Sequence, residues 1–124
     1  MREEARNWLL QSDAELHAAE GAVGYGSHYL AAFCAHQAVE KALKGHYIER
    51  MRDAPPRTHN LLDLASFLSP PEAVKALLRR LNPHYSVARY PDAANGVPAQ
   101  LYDETTAREL VTAAKEIVRW LASV

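Results

Sequence analysis

The sequence predicts a single all-α domain over residues 1–124, an up-and-down antiparallel bundle of four main helices. Alternating runs of β-branched residues are absent, whereas Ala, Leu, Glu, Lys and Arg recur at helical spacing. Hydrophobic residues make up 48% of the chain, which suffices for a packed core. Because long amphipathic helices joined by short turns have few other stable arrangements, a bundle is the expected fold.

Glycine and proline mark the ends of the first two helices. The first helix is predicted from about Glu3 to Glu20, because glycines at 21, 24 and 26 follow it and glycine tolerates the backbone angles of a C-cap. The second is predicted from about Ser27 to Arg52 and ends before Pro55-Pro56, since proline cannot continue a helix. Its length makes it the central element of the bundle.

The third helix is predicted to be broken at Pro70-Pro71. Its first half begins near Thr58. Its second half has an N-terminal signal in which Ser69 can cap and Glu72 stands three residues on, as in a capping box. Asn82-Pro83 then closes this half.

The segment from His84 to Asp103 is predicted to be a loop, because Pro91 and Pro98 interrupt any periodic pattern. Loops longer than about 15 residues are uncommon in compact domains and are usually functional or disordered. The last helix is predicted from about Glu104 to Ala122 and carries the cleanest apolar stripe of the chain.

Composition limits the classes of function. With 14 Lys+Arg against 15 Asp+Glu, the chain lacks the excess of base typical of a strongly electropositive nucleic-acid binder, although a local basic patch remains open. The lone Cys34 and the absence of a signal peptide favour a reducing, cytoplasmic setting. No apolar run approaches the ~20 residues of a membrane span. The histidines lack the spacing of a zinc site, so no metal and no cofactor are expected.

The middle of the second helix carries a polar stripe. Gln37, Glu40, Lys41 and Lys44 follow each other at i, i+3, i+4 and i+7, which predicts that they share one helix face. Two interpretations stay open. The stripe is either a solvated face with a Glu40–Lys44 pair worth about 0.3–0.5 kcal/mol, or the lining of a binding cleft.

Two further segments carry candidate binding residues. His59 lies at the predicted start of the third helix, where the helix dipole disfavours its cationic form, so it is either a neutral donor or base, or a simple cap. Arg89 and Tyr90 precede a proline that stiffens the loop. They can clamp a phosphate and a base, or Tyr90 can fill the bundle while Arg89 pairs with Glu40 or another carboxylate.

The order of these segments resembles the prokaryotic HEPN domain family over essentially the whole chain. His36 departs from many relatives, which have glutamine there. The resemblance implies a helical bundle that forms homodimers, often beside a separate minimal nucleotidyltransferase in a toxin–antitoxin-type pair. The residues that carry it are Trp8 to Asp13, His36-Gln37-Ala38-Val39-Glu40-Lys41-Ala42-Leu43-Lys44, Thr58-His59-x-Leu61 and Arg89-Tyr90-Pro91-Asp92.

Some HEPN branches, as the resemblance implies, are metal-independent ribonucleases with an Arg-x4–6-His motif brought together across the dimer, and others are only nucleotide- or substrate-binding modules. Two pairs fit by count, Arg79 with His84 and Arg52 with His59, but prolines interrupt both. Some branches also carry a modified tyrosine in a His-x-Tyr pattern. Tyr85 follows His84 directly and does not match it.

The leading hypothesis is a nucleotide- or RNA-related binding module, acting as a homodimer with a nucleotidyltransferase partner. Lysines and Arg89 would bind phosphate and Tyr90 would stack on a base, which requires the three segments to converge. Two alternatives stay open: a metal-independent endoribonuclease toxin using Arg79 with His84 or else His59, and a structural homodimer without ligand. The predicted lining is Gln37, Glu40, Lys41, Lys44, His59, Arg89 and Tyr90.

Overall fold

The computed structural model describes residues 1–124 as an all-helical domain without strands, as predicted. None of the helices combines the length and apolar character that crossing a membrane requires. A 3-10 turn (Ser66–Leu68) follows the third helix. In chain order the helices are α1 (Glu3–Tyr25), α2 (His28–Met51), α3 (Leu61–Ala65), α4 (Glu72–Leu81), α5 (His84–Val87), α6 (Pro91–Ala94), α7 (Pro98–Leu101) and α8 (Glu104–Ser123).

Helices α1 and α2 form a closely packed antiparallel pair that α8 covers. Small side chains allow the approach, since the buried positions of α1 are mostly alanines and α2 adds Gly45 at the contact. A Cβ atom at Gly45 would lie 2.9 Å from Leu9 Cδ2 and 3.1 Å from the Ala5 carbonyl oxygen. The stripe predicted on α8 completes the core. Val118 is partly buried, and the other members are buried: Ala107, Leu110, Val111, Ala114, Ile117 and Leu121.

The predicted end of α1 was wrong, because the helix continues past Glu20 to Tyr25. Only Gly26 adopts the left-handed conformation of a cap, with φ 89°. The two earlier glycines lie inside the helix. The additional turn buries Ala22 and Val23 in the core, and this burial outweighs the modest helix penalty of glycine.

The break at Pro70-Pro71 is confirmed, but the predicted capping box is not present. Ser69 has φ 48° and ends the 3-10 turn, so its side chain does not cap α4. Glu72 forms an ion pair with Arg79 instead of closing a box. Helix α4 ends at Leu81, where the Asn-Pro signal predicted its end.

Asn60 sets the start of α3. Its side-chain oxygen accepts the backbone N–H groups of Leu62 at 3.0 Å and Asp63 at 3.1 Å. The helix therefore begins at Leu61 and not near Thr58. His59 therefore lies before the helix. One interpretation of His59 was that it caps this helix, but Asn60 provides the cap.

The predicted loop from His84 to Asp103 contains three helical turns, α5, α6 and α7. Pro91 and Pro98 occupy the first positions of α6 and α7, where the missing N–H of proline has no helical partner to lose. These prolines start turns and do not exclude them. Helix α5 packs against α2 and brings Tyr85 to the middle of the long helix.

Candidate functional site

The centre of the site is a buried carboxylate on α2. Glu40 is 4% exposed, and both of its oxygens lie 3.0 Å from Nδ1 of His59. Lys44 Nζ donates to Oε2 of Glu40 at 3.0 Å, and His36 Nδ1 lies 3.7 Å from Oε1. We call these four residues the Glu40 cluster. A solvated face is therefore the wrong interpretation of this part of the stripe, because Glu40 and Lys44 are both buried.

Lys44 is committed to the interior of the protein. Its ammonium pairs with Glu40 one helical turn away and lies 5.7 Å from the centroid of the Trp8 ring. A buried charge needs such a partner, because desolvation without one is costly. The prediction that Lys44 binds phosphate is not supported, since its charge is already neutralised inside the fold.

Gln37 and Lys41 share the helix face of Glu40, as predicted, but they do not join the Glu40 cluster. The Lys41 ammonium pairs with Glu15 on α1 and lies 3.5 Å from the Gln37 side-chain oxygen. Helix α1 packs along α2 and covers this side of it. Positions i, i+3, i+4 and i+7 span enough of the helix surface for two neighbouring elements to contact different residues among them. Here α1 contacts Lys41, and His59 contacts Glu40.

His36 is fully buried, and neither of its ring nitrogens has a hydrogen-bond partner. Burial lowers the pKa of His36 to about 4, against the opposing attraction of Glu40. The ring is therefore neutral near pH 7. Its centroid lies 5.5 Å from that of Tyr85, so it packs behind the site as an uncharged ring.

His59 and Tyr85 form a parallel stack, with ring centroids 3.8 Å apart and planes 12° from parallel. The His59 side chain is half exposed. Tyr85 was missed as a site residue, because its partner lies far away in sequence. Its spacing of four residues from Arg89 is the signal that was available, once the segment is recognised as helical.

The guanidinium of Arg89 lies against aromatic rings and not against a carboxylate. Its central carbon is 4.6 Å from the Phe33 centroid, 5.2 Å from that of Tyr90 and 5.9 Å from that of Tyr85. We call these four residues the Arg89 cluster. The structure decides against an Arg89–carboxylate pair and against Tyr90 filling the bundle, because Tyr90 is 44% exposed.

A cleft of about 290 Å³ opens beside the Arg89 cluster. It is walled by Tyr29, Leu30, Phe33, Ala88 and Arg89. The sequence did not indicate Tyr29 as a wall, although it lies one turn before Phe33 on α2. The three predicted segments thus converge: α2 and His59 meet at Glu40, and the Arg89 segment joins them through Tyr85.

The two Arg–His pairs of the nuclease alternative make their contacts elsewhere. Arg79 pairs with Glu72 on the surface, and Nδ1 of His84 lies 2.6 Å from the Tyr102 hydroxyl. Burial raises the pKa of Tyr102 to about 12, and burial with the nearby Arg80 charge lowers the pKa of His84. This neutral pair ties α5 to the segment before α8.

Arg52, the arginine of the second pair, is exposed and ends α2 with a left-handed backbone, φ 54°. Its expected partner His59 is held by Glu40. No three of the His, Cys, Asp and Glu side chains are arranged to hold a metal ion, although two histidines flank Glu40.

Comparison with known proteins gives a consistent assignment. The family model of the HEPN domain matches residues 5–124 of this chain. The crystal structure of TT1696 from Thermus thermophilus shares 32% identity with this chain over 98% of both chains, with a TM-score of 0.89. The crystal structure of ST0689, described as an archaeal HEPN homologue, shares 29% identity over 99% of this chain and 98% of its own, with a TM-score of 0.84. No curated protein matches the chain.

Proposed function

This chain belongs to the HEPN family, and within that family we propose that it is a binding module for one nucleotide unit, either free or at an RNA end. One observation carries the proposal. The guanidinium of Arg89 rests on aromatic rings, has no carboxylate partner and borders an open cleft. Arg89 would bind the phosphate, and the cleft would hold the base.

Arg89 is suited to phosphate by its unused donors. A guanidinium carries N–H groups in a rigid fork that matches two phosphate oxygens, and its flat faces can stack on rings at the same time. Stacking here orients the fork before any ligand arrives. By contrast, six other basic side chains already pair with carboxylates: Lys41, Lys44, Arg79, Arg80, Arg108 and Lys115.

The cleft is suited to a single base. Tyr29 and Phe33 form its walls and Tyr90 is exposed nearby, so aromatic faces are available for stacking worth about 1–3 kcal/mol per base. Its volume is near the lower limit of small-molecule pockets, ~300 Å³. One base fits such a space better than a base pair does.

At the level of assembly, we extend the proposal to a homodimer that works with a nucleotidyltransferase partner in a toxin–antitoxin-type pair. Exposed apolar side chains such as Leu10, Tyr25 and Leu101 are available for such contacts. Light scattering should give the mass of two chains and not 13.8 kDa. A 1:1 complex with a co-expressed nucleotidyltransferase would support the second part, and a monomer that captures none would contradict both.

Calorimetric titration tests the nucleotide proposal with the four common ribonucleoside 5′-monophosphates as probes. We expect at least one to bind the wild type and Arg89→Ala to weaken it by about 10- to 100-fold, the value of about 1.5–3 kcal/mol for a charged hydrogen bond. Arg119→Ala is the matched control, because Arg119 is exposed on α8 and forms no ion pair. Equal binding by both variants, or no binding by the wild type, would contradict the proposal.

A further inference from the structure

We infer that His59, oriented by Glu40, accepts a hydrogen bond from a ribose hydroxyl of the ligand and makes the site selective for ribonucleotides. This inference rests on the nucleotide binding proposed above and names its substrate class. It depends on three features of His59: which nitrogen carries the proton, how the ring is held, and where it lies relative to Arg89.

The contact with Glu40 assigns the proton on the imidazole. A carboxylate can only accept hydrogen bonds, so Nδ1 of His59 carries the hydrogen that points to both Glu40 oxygens at 3.0 Å. In the neutral ring Nε2 then holds a lone pair. No side chain or backbone group of the protein bonds Nε2, and the His59 side chain is half exposed. A ligand atom placed there has to be a donor.

The ring is fixed before any ligand arrives. Glu40, which orients Nδ1 of His59, accepts a hydrogen bond from Lys44 Nζ at 3.0 Å. The Tyr85 ring packs on the face of the His59 ring, with the two centroids 3.8 Å apart. His59 has no structural role as a helix cap, because Asn60 caps α3. A buried carboxylate, a lysine and a tyrosine thus hold the half-exposed His59 ring in one orientation, which is what a specificity contact requires.

The position of His59 selects the ribose among the donors of a nucleotide. Tyr85 contacts both His59 and Arg89, with its centroid 3.8 Å from the His59 ring and 5.9 Å from the guanidinium carbon. Phosphate oxygens are acceptors and would engage Arg89. The cleft proposed for the base does not include His59 among its walls, so His59 is not placed against the base. The ribose hydroxyls are the donors that remain.

The test compares each ribonucleoside 5′-monophosphate with its 2′,3′-dideoxy counterpart by calorimetry. A site that bonds a hydroxyl discriminates against an analogue that lacks it, because the acceptor is left unpaired. We expect the wild type to prefer the ribonucleotide by about two- to tenfold, the value of one neutral hydrogen bond. His59→Phe keeps a ring for the Tyr85 stack but lacks the acceptor, and it should bind both forms equally.

His17→Phe is the matched control, since it makes the same change at an exposed position on α1 and should keep the preference. Equal affinity of the wild type for both forms would overturn this inference and leave the nucleotide proposal standing. A preference that persists in folded His59→Phe would also overturn it. If the wild type binds neither form, both this inference and the nucleotide proposal are contradicted. Equal affinity of the wild type for both forms overturns the inference even if His59→Phe fails to fold.

Discussion

The Glu40 cluster and the Arg89 cluster are neighbours joined by one tyrosine ring, yet they treat charge in opposite ways. In the Glu40 cluster, the buried charges of Lys44 and Glu40 neutralise each other, and His59 forms a hydrogen bond with the Glu40 carboxylate. In the second, the Arg89 cation is exposed, lies on aromatic rings and has no counter-ion. A paired, buried charge maintains a structure, whereas an unpaired charge held on a rigid surface is available to a ligand.

The largest expected effect is on stability, at the centre of the Glu40 cluster. Glu40→Ala leaves the Lys44 ammonium buried without its partner, and breaking a buried pair in this way costs about 3–5 kcal/mol. Urea denaturation measures the free energy of unfolding. Glu109→Ala, which breaks an exposed pair with Arg80, is the control and should change it little. A similar small effect for both variants would mean that the Glu40 cluster does not stabilise the fold.

An intermediate effect is expected on the pH dependence of stability. The folded state keeps His36 neutral down to a pKa of about 4, because the ring is buried, whereas the unfolded chain binds a proton near pH 6.5. Between these values the unfolded state holds more protons, so stability falls as the pH is lowered. His36 changes the free energy of unfolding by at most about 1.4 kcal/mol per pH unit.

The measurement is urea denaturation of the wild type and His36→Gln between pH 7 and pH 4. Burial also lowers the pKa values of His46 and His84, which act in the same direction but are present in both proteins. The difference in slope therefore isolates His36. Parallel curves for the two proteins would show that His36 takes up its proton in the folded state as readily as in the unfolded chain.

The smallest effect on stability is expected in the Arg89 cluster. Arg89→Ala removes cation–π contacts at an exposed site, which are worth about 0.5–1 kcal/mol, and it leaves no charge unpaired. The same variant is expected to lose nucleotide affinity, so function and stability should separate here. A loss of stability as large as that of Glu40→Ala would remove the contrast between the two clusters.

The fold was predictable because its signals are local. The apolar stripe of α8 and the break at Pro70-Pro71 can each be read from a few consecutive residues, and both are confirmed. The three turns between α4 and α8 were not predicted, because proline was taken to exclude a helix and not to begin one. Local patterns identify elements better than they identify the boundaries of elements.

The site was predicted in part. Glu40, His59 and Arg89 were selected from the sequence, and the structure brings their segments together. Lys41 was predicted to line the same cleft as Glu40, but it pairs with Glu15 on α1. The sequence does not indicate where α1 packs along α2, so it could not indicate which positions of the stripe α1 would contact. Tyr85 was missed because its segment was predicted to be a loop, so its spacing of four residues from Arg89 was not recognised as helical.

The short connection between α1 and α2 has a consequence for the order of folding. Only Gly26 and Ser27 separate the two helices, and the hairpin carries the most extensive contacts between any two elements. Contacts that are local in sequence form fast, whereas those that close long loops form slowly. We expect the hairpin to gain hydrogen-exchange protection first, and the site, whose residues come from three distant segments, to become ordered only when the whole chain has folded.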